Sequence, residues 1–330
     1  AKDEAKAKLA DGSVKIAVGT HALFSDDVEF QNLGLVIVDE QHRFGVAQRL
    51  ALKSKGRDVH QLMMSATPIP RTLAMSFFAD LDVSVIDELP PGRTPIKTRL
   101  VNNIRRAEVE GFVLNICRKG QQAYWVCPLI EESETLQLQT ATETLTQLQA
   151  ALPELNIGLV HGRMKAAEKA EVMAQFAAGH LNVLVATTVI EVGVDVPNAA
   201  LMVIEHAERM GLAQLHQLRG RVGRGAAESV CVLLFAEPLS ELAKARLKVI
   251  YEHTDGFEIA HQDLNIRGPG EFLGARQSGV PMLRFANLEE DLHLLEQARE
   301  IAPMLIEQNP EIVEAHLARW LSSREGYLGV

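Results

Sequence analysis

Read for its alternation of apolar and polar positions, the chain is a succession of short apolar runs, each ending in small, hydroxyl-bearing or charged residues. Leu35-Val36-Ile37-Val38 is the plainest case. Four apolar, mostly β-branched residues run into Asp39-Glu40-Gln41-His42, the pattern of a buried parallel strand that delivers polar groups at its carboxyl end. Residues 14–18 read as a strand ending in Gly19-Thr20-His21, and Leu62-Met63-Met64 as one ending in Ser65-Ala66-Thr67-Pro68. A helix is expected over 2–9, stopped by Gly12, a second over about 70–79, and a strand over 83–86. In a parallel sheet the three polar strand ends share one edge, where open α/β sheets hold their ligands.

Leu89-Pro90-Pro91-Gly92-Arg93 interrupts this pattern, because two prolines and a glycine continue neither a helix nor a central strand. Beyond it, strands over 96–101, 122–127, 157–160, 183–186, 201–204 and 230–235 alternate with helices over 105–118, 140–152, 165–177 and 214–221. Such alternation with short links predicts a second parallel α/β domain. After Pro238 come a helix over 241–252, a glycine-rich connector over 263–274 with Arg267 embedded in it, and two acidic amphipathic helices over 288–306 and 312–321. The expected organisation is a first α/β domain over 1–91, a second over 92–237 and a mostly helical region over 238–330.

Composition narrows the class. A chain of 330 residues exceeds the size of most single cores, which agrees with two domains and an appendage. With 47% hydrophobic and 23% charged residues and no low-complexity tract, disorder is excluded as the organising principle. No apolar run is long enough to cross a bilayer and Ala1-Lys2-Asp3-Glu4 has no signal-peptide character, so a cytoplasmic protein without a membrane partner is expected. Cys117, Cys127 and Cys231 show no metal-ligand spacing and read as reduced structural residues. The net charge of −10 argues against nonspecific coating of nucleic acid. Between Arg93 and Lys119 the chain is locally basic, yet a solvated helix face is the expected role of most of these cations. The chain begins without Met inside a charged helical stretch and reads as a piece of something longer.

Two stretches carry chemistry. At the end of the 35–38 strand, Asp39 can hold Mg²⁺ through its water shell while Glu40 orients or deprotonates a water attacking a phosphate. In Gln214-Leu215-His216-Gln217-Leu218-Arg219-Gly220-Arg221-Val222-Gly223-Arg224-Gly225, Arg221 and Arg224 are read as three apart on a helix and pointing the same way. Paired guanidiniums suit the charge that develops on a transferring γ-phosphoryl group. A carboxylate pair on one α/β domain and an arginine pair on the next point to an interdomain nucleotide site.

Val-Asp-Glu-Gln-His at 38–42, Ser-Ala-Thr-Pro-Ile-Pro-Arg-Thr at 65–72, Thr-Thr-Val-Ile-Glu-Val-Gly-Val-Asp-Val-Pro at 187–197 and Gln-Leu-Arg-Gly-Arg-Val-Gly-Arg at 217–224 resemble helicase motifs II, III, V and VI of superfamily 2. They occur in the family's order and span most of the chain. Asp39 to Val46 and Ser65 to Thr72 resemble the RecG family of branched-DNA helicases and its relative, the transcription-repair coupling translocase, and Asp263 to Gly279 is similar to a translocation motif that the two share. Leu89 to Ile96 and Asp-Glu-Gln-His at 39–42 look more like the RecG family. The resemblance implies two RecA-like parallel-sheet domains, the first incomplete, ATP and Mg²⁺ as cofactors, and branched double-stranded DNA (forks and Holliday junctions) as partner. A single-stranded-DNA-binding protein is a candidate second partner, and a bacterial, nucleoid-associated location is expected.

The resemblance also assigns roles. Asp39 is the expected Mg²⁺ ligand and Glu40 the water activator, with Gln41 and His42 relaying nucleotide state and Ser65 and Thr67 coupling it to DNA. Gly193 and Asp195 approach the nucleotide, Arg221 and Arg224 its phosphates, and Gln217 supports them. Thr20, His21, His161, Gly162, Arg163 and Thr188 lie on strand-end loops expected to track the DNA backbone. Arg267, Arg276 and Gln277 belong to the translocation hook. One departure stands out, since no Gly-x-x-x-x-Gly-Lys-Ser/Thr loop occurs, and neither Lys55-Gly56 nor Lys119-Gly120 fits it. The chain therefore reads as the carboxyl-terminal portion of a motor. The alternatives are a transcription-repair coupling translocase and a noncatalytic DNA-binding or interaction module. On its own the chain is expected to release negligible phosphate from ATP with or without DNA; turnover comparable with that of an intact helicase contradicts this.

Overall fold

The computed structural model describes residues 2–40, 55–56, 59–65, 82, 84–86, 88, 95–127, 134–187, 196–225, 228–267 and 292–321. The chain divides into two units, Ala1–Ala66 with Leu292–Val330, and Thr67–Asp291. In the first unit, α1 (Lys2–Ala10) stops where Gly12 adopts a left-handed φ of 71°, a conformation that costs glycine nothing. Strands β1 (Leu35–Val38) and β2 (His60–Met63) pair in parallel with Leu35 opposite His60 and Val38 opposite Met63. The strand expected over 14–18 is not formed. Its Ile16 and Val18 are 81% and 96% exposed. A strand persists only where a neighbour takes up its N–H and C=O groups, and among the described residues this sheet has two members. In the same sheet Leu35 and Ile37 are more than half exposed and Leu62 is half exposed. Residues 84–86 form no ladder either.

The second unit has an element order of β3 (Lys97–Asn102), α2 (Arg106–Arg118), β4 (Gln122–Cys127), α3 (Glu134–Ala151), β5 (Ile157–Val160), α4 (Ala166–Ala177), β6 (Val183–Thr187), β7 (Ala199–Ile204), α5 (Leu212–Arg219), β8 (Val230–Phe235), α6 (Glu241–Glu252) and α7 (Gly256–Arg267). All six strands are parallel, in the order β3-β8-β7-β4-β6-β5. Their side chains alternate strictly between two cores. Tyr124, Val126, Leu184, Ala186, Met202, Ile204 and Leu233 face Phe176 of α4, Leu212, Leu215 and Leu218 of α5, and Leu247 and Ile250 of α6. Ala123, Trp125, Val183, Val185, Leu201, Val203 and Val232 face Val109 and Val113 of α2 and Leu148 of α3. Burial on both faces explains why the strands read as continuous apolar runs rather than alternating ones. Each fully buried side chain of this size contributes about 1.5–3 kcal/mol. The remaining helices, α8 (Leu292–Gln308) and α9 (Pro310–Leu321), belong to the first unit.

The first five residues of the expected glycine-rich connector, Asp263 to Arg267, form the last turns of α7. The helix expected over 214–221 runs instead over Leu212–Arg219. The locally basic stretch is neutralised by carboxylates. Arg105 pairs with Glu108 at 2.6 Å, Arg106 with Glu110 at 3.0 Å and with Glu205, Arg118 with Glu154 at 2.8 Å, and Lys97 with Glu228. Arg99 lies 5.3 Å over the Phe112 ring. Most of these pairs are solvent-exposed and contribute little energy; their consequence is that the stretch is no bare cationic patch. The three cysteines are free and buried, and burial pushes their thiols up to about 11 for Cys117 and about 12 for Cys127 and Cys231.

Glu205, directly after β7, is the exception among the ion pairs because it is 5% exposed. Its carboxylate accepts from the Trp125 indole at 2.8 Å and from the Arg106 guanidinium, which also stacks 4.9 Å over the Trp125 ring. Removing the carboxylate leaves the buried Trp125 N–H without its acceptor and Arg106 with Glu110 alone. Glu205→Ala is therefore expected to destabilise the second unit by about 3 kcal/mol, read from chemical denaturation followed by Trp125 fluorescence; a change below about 0.5 kcal/mol shows the pair to be dispensable.

Candidate functional site

The first polar edge is at the carboxyl ends of β1 and β2. Met64 donates its N–H to the Val38 carbonyl at 2.8 Å, so Asp39 and Ser65 leave adjacent strands side by side. The Glu40 N–H donates to Asp39 Oδ1 at 2.9 Å, and Glu40 itself has φ 52°. A non-glycine residue in that region is strained, and here it turns the chain sharply off the strand while the carboxylates stay at its tip. Asp39 is exposed and Glu40 half-buried. Thr20 precedes a 3₁₀ turn, His21–Phe24, whose Leu23 N–H bonds back to the Thr20 carbonyl at 3.0 Å. Lys55 is committed elsewhere, its Nζ donating to the Ser25 and Val28 carbonyls at 2.8 Å each.

In the second unit the predicted residues fall at opposite edges of the sheet. At the carboxyl edge, β5 and β6 are neighbours with Val160 opposite Ala186, so His161 and Thr187 emerge together. The His161 Nδ1 and Thr187 Oγ1 are both buried and make no hydrogen bond among the described residues. Burial, reinforced by the nearby charges of Lys169 and Arg163, lowers the His161 pKa from its ordinary value of 6.5. Arg163 is exposed, and Lys169 donates to the Gly162 carbonyl at 2.9 Å, fixing the loop that carries it. From the sequence Thr187 reads as the first residue of the loop at 187–197, after a strand that ends at Ala186. The ladder runs one position past the apolar run and makes it the terminal hydroxyl.

Arg221 and Arg224 lie at the other edge. Helix α5 returns from the carboxyl end of β7 toward the amino end of β8 and stops at Arg219, so the two arginines sit on the turn that follows it and not on a helix. Two glycines in four residues account for the early stop, with Gly220 as the C-cap and Gly223 at φ 80°. A Cβ on Gly225 would approach the Pro197 carbonyl oxygen to 2.3 Å, which ties this arginine loop to the segment entering β7. Arg224 is exposed, Arg221 half-buried, and Gln217 half-buried on the last turns of α5. Six residues of strand at about 3.3 Å each put roughly 20 Å between the two edges.

Arg219, which the sequence places among arginines read as phosphate ligands, turns inward and is 3% exposed. Its guanidinium donates to the carbonyls of Ile250, His253 and Thr254 at 2.8, 2.9 and 3.3 Å, to Thr98 Oγ1 at 3.3 Å, and meets His216 Nδ1 at 3.0 Å. Of the remaining predicted residues, Arg267 ends α7, while Gln41, His42, Thr67, Thr188, Gly193, Asp195, Arg276 and Gln277 lie outside the described residues, as do the 70–79 helix and the 89–93 boundary. Among the described residues no His, Cys, Asp or Glu side chains cluster as a metal site. Mg²⁺ needs only one or two carboxylates beside water and phosphate oxygens, which an exposed Asp39 at a strand tip fits. Among the described residues no helix is long and apolar enough to cross a membrane.

The chain matches the models of the helicase conserved C-terminal domain over residues 108–226, of ATP-dependent DNA helicase RecG, domain 3, C-terminal, over 253–321, and of the DEAD/DEAH box helicase over 1–76. It is 58% identical over 319 residues to the ATP-dependent DNA helicase RecG of Acidithiobacillus ferridurans, an alignment covering 97% of this chain and 47% of the relative. It is 56% identical over 337 residues to that of Escherichia coli strain K12, covering 99% of this chain and 49% of the relative. The chain thus spans about half the length of these curated relatives. Among solved structures, RecG bound to a three-way DNA junction superposes with a TM-score of 0.67 at 49% identity, covering 89% of this chain and 38% of that one. The Mycobacterium smegmatis helicase Lhr bound to single-stranded DNA and AMP-PNP, at 20% identity and a TM-score of 0.51 over 71% of this chain and 32% of that one, shares the fold. Two units built on parallel sheets, polar strand tips and an arginine loop coincide with identity above one half along nearly the whole sequence, and the chain belongs to the RecG family of ATP-dependent DNA helicases.

Proposed function

We propose that the chain forms part of an ATP-dependent double-strand DNA translocase that remodels branched DNA, forks and Holliday junctions among them, in recombination and repair. The observation that carries this reading is the 58% identity to a RecG helicase across 97% of the chain, joined to carboxylates at the tip of β1 and an arginine loop after α5. Domains over 1–91, 92–237 and 238–330 remain the proposed division of labour. A single-stranded-DNA-binding protein as second partner, and a cytoplasmic, nucleoid-associated location, belong to the same proposal.

Asp39 would hold Mg²⁺, which when bound neutralises charge on the β- and γ-phosphates. Glu40, held off the strand by its left-handed backbone, accepts a proton from the attacking water, and Gln41 and His42 report nucleotide state. Gly193 and Asp195 approach the nucleotide. Arg221 and Arg224, supported by Gln217, offset the charge that develops as the phosphoryl group transfers. Ser65 and Thr67 pass the change to the DNA side. There Thr20, His21, His161, Gly162, Arg163 and Thr188 contact phosphates, which fixes position on the duplex without reading sequence. Arg267, Arg276 and Gln277 engage the duplex as the hook. His161 enters as a neutral hydrogen-bond donor, since its lowered pKa keeps it uncharged at neutral pH.

In the full-length protein, Glu40→Gln is expected to lower kcat for DNA-stimulated ATP hydrolysis by at least about 100-fold, the lower range for a lost general base, with nucleotide binding retained; a loss under threefold removes Glu40 from the reaction. An NMR titration of this chain is expected to place the His161 pKa below 6.5, and Lys169→Met to move it upward by removing one of the positive charges that lower it. A value at or above 6.5 rules out the neutral donor.

A further inference from the structure

Arg219 is the one buried arginine side chain among the described residues, and its surroundings are unusual for a cation. A buried guanidinium ordinarily meets a carboxylate. Here every hydrogen-bond partner is neutral, namely three main-chain carbonyls, a hydroxyl and an imidazole. The carbonyls come from one place. Ile250 is in the last turn of α6, and His253 and Thr254 belong to the short link between α6 and α7. A helix leaves its last carbonyls without internal partners and carries partial negative charge at that end. Arg219 is inserted where those unsatisfied oxygens converge, so the end of α6 stands in for the missing anion. Burial lowers its pKa, yet a guanidinium stays charged in proteins.

The placement in the chain gives this contact a consequence. Arg219 is the last residue of α5, followed by the Gly220 cap, Arg221 and Arg224. Helix α6 follows β8 and is joined to α7 by a link of three residues, whose carbonyls meet Arg219 just ahead of the arginine loop. The α6–α7 turn therefore sits at the edge of the sheet that carries the arginine loop.

We propose that Arg219 is a positioning residue that locks the loop bearing Arg221 and Arg224 onto the α6–α7 turn, so that the arginine loop and the α6–α7 helix pair move as one piece. The helix-end carbonyls supply the specificity. Three acceptors in an arc match the fork of an arginine, whereas a lysine is a single point charge that cannot reach all of them. The His216 ring completes the lock. Its Nδ1 accepts from Arg219, so its proton resides on Nε2. The inference about catalysis rests on Arg221 and Arg224 facing the nucleotide; the mechanical link does not.

Two measurements on Arg219→Lys separate those levels. In this chain, hydrogen exchange is expected to accelerate together, by about tenfold, in 220–225 and in 250–256, with amides of β4, β6 and β7 unchanged. Acceleration in one segment alone, in neither, or uniformly through the sheet overturns the lock. In the full-length protein, the same substitution is expected to lower kcat for DNA-stimulated ATP hydrolysis about tenfold, with KM for ATP within twofold. An unchanged kcat in a folded variant, or a KM rise that carries the whole effect, overturns the positioning role. If the unsubstituted full-length protein hydrolyses no ATP, the proposed function fails and the exchange experiment alone decides the lock. Arg219→Gln, which keeps two donors without charge, is expected to show intermediate exchange. Exchange as fast as in Arg219→Lys overturns the requirement for a fork of donors.

Discussion

A six-stranded parallel sheet buried on both faces leaves polar chemistry only two places to go, the ends of its strands and the loops beyond them. In the second unit this constraint is severe. Alternate residues of β4, β6 and β7 fill two separate cores, and a charge set into either face would be desolvated without a partner. Glu205 marks the limit. It occupies the first position beyond β7, where Arg106 and Trp125 can still reach it. His161, Thr187 and the arginine loop all lie at strand or helix ends for the same reason. The separation of these groups between the two edges follows from connectivity, since every helix must return the chain from a carboxyl end to an amino end before the next parallel strand begins.

Arg219 shows how such a fold can tie a polar loop to a helix pair that arrives later in the chain. A helix end supplies acceptors that need no carboxylate. The arrangement also explains why the arginine-rich segment contains residues of different kinds. Arg219 is buried and neutralised by main-chain oxygens, while Arg221 and Arg224 stand on a turn that two glycines release from the helix.

Much of this was legible in the sequence where burial is complete. The strands 122–127, 157–160 and 230–235 and the helix 241–252 coincide with their predicted limits, because continuous apolar runs bounded by Gly, Pro or charge have few other fates. The strand at 35–38 is equally sharp and places Asp39 and Glu40 at its tip. The 14–18 segment has the same local character and forms no strand, because pairing depends on a neighbour that local pattern does not reveal. The inward turn of Arg219 was illegible for a related reason, as its acceptors lie more than 30 residues away in the chain. So was the neutralisation of Arg106, Arg118 and Lys97, whose partners Glu205, Glu154 and Glu228 arrive from distant elements.

The central claim is that the second unit presents nucleotide phosphates to one edge of its sheet and DNA phosphates to the other. The most direct measurement is photocrosslinking of the full-length protein, once with ATP carrying a photoreactive group on its γ-phosphate and once with a junction carrying photoreactive backbone phosphates. Peptides of the second unit are then mapped by mass spectrometry. The account predicts nucleotide adducts within 217–225 and DNA adducts within 157–170. Both probes labelling the same edge, or the two patterns interchanged, would contradict it.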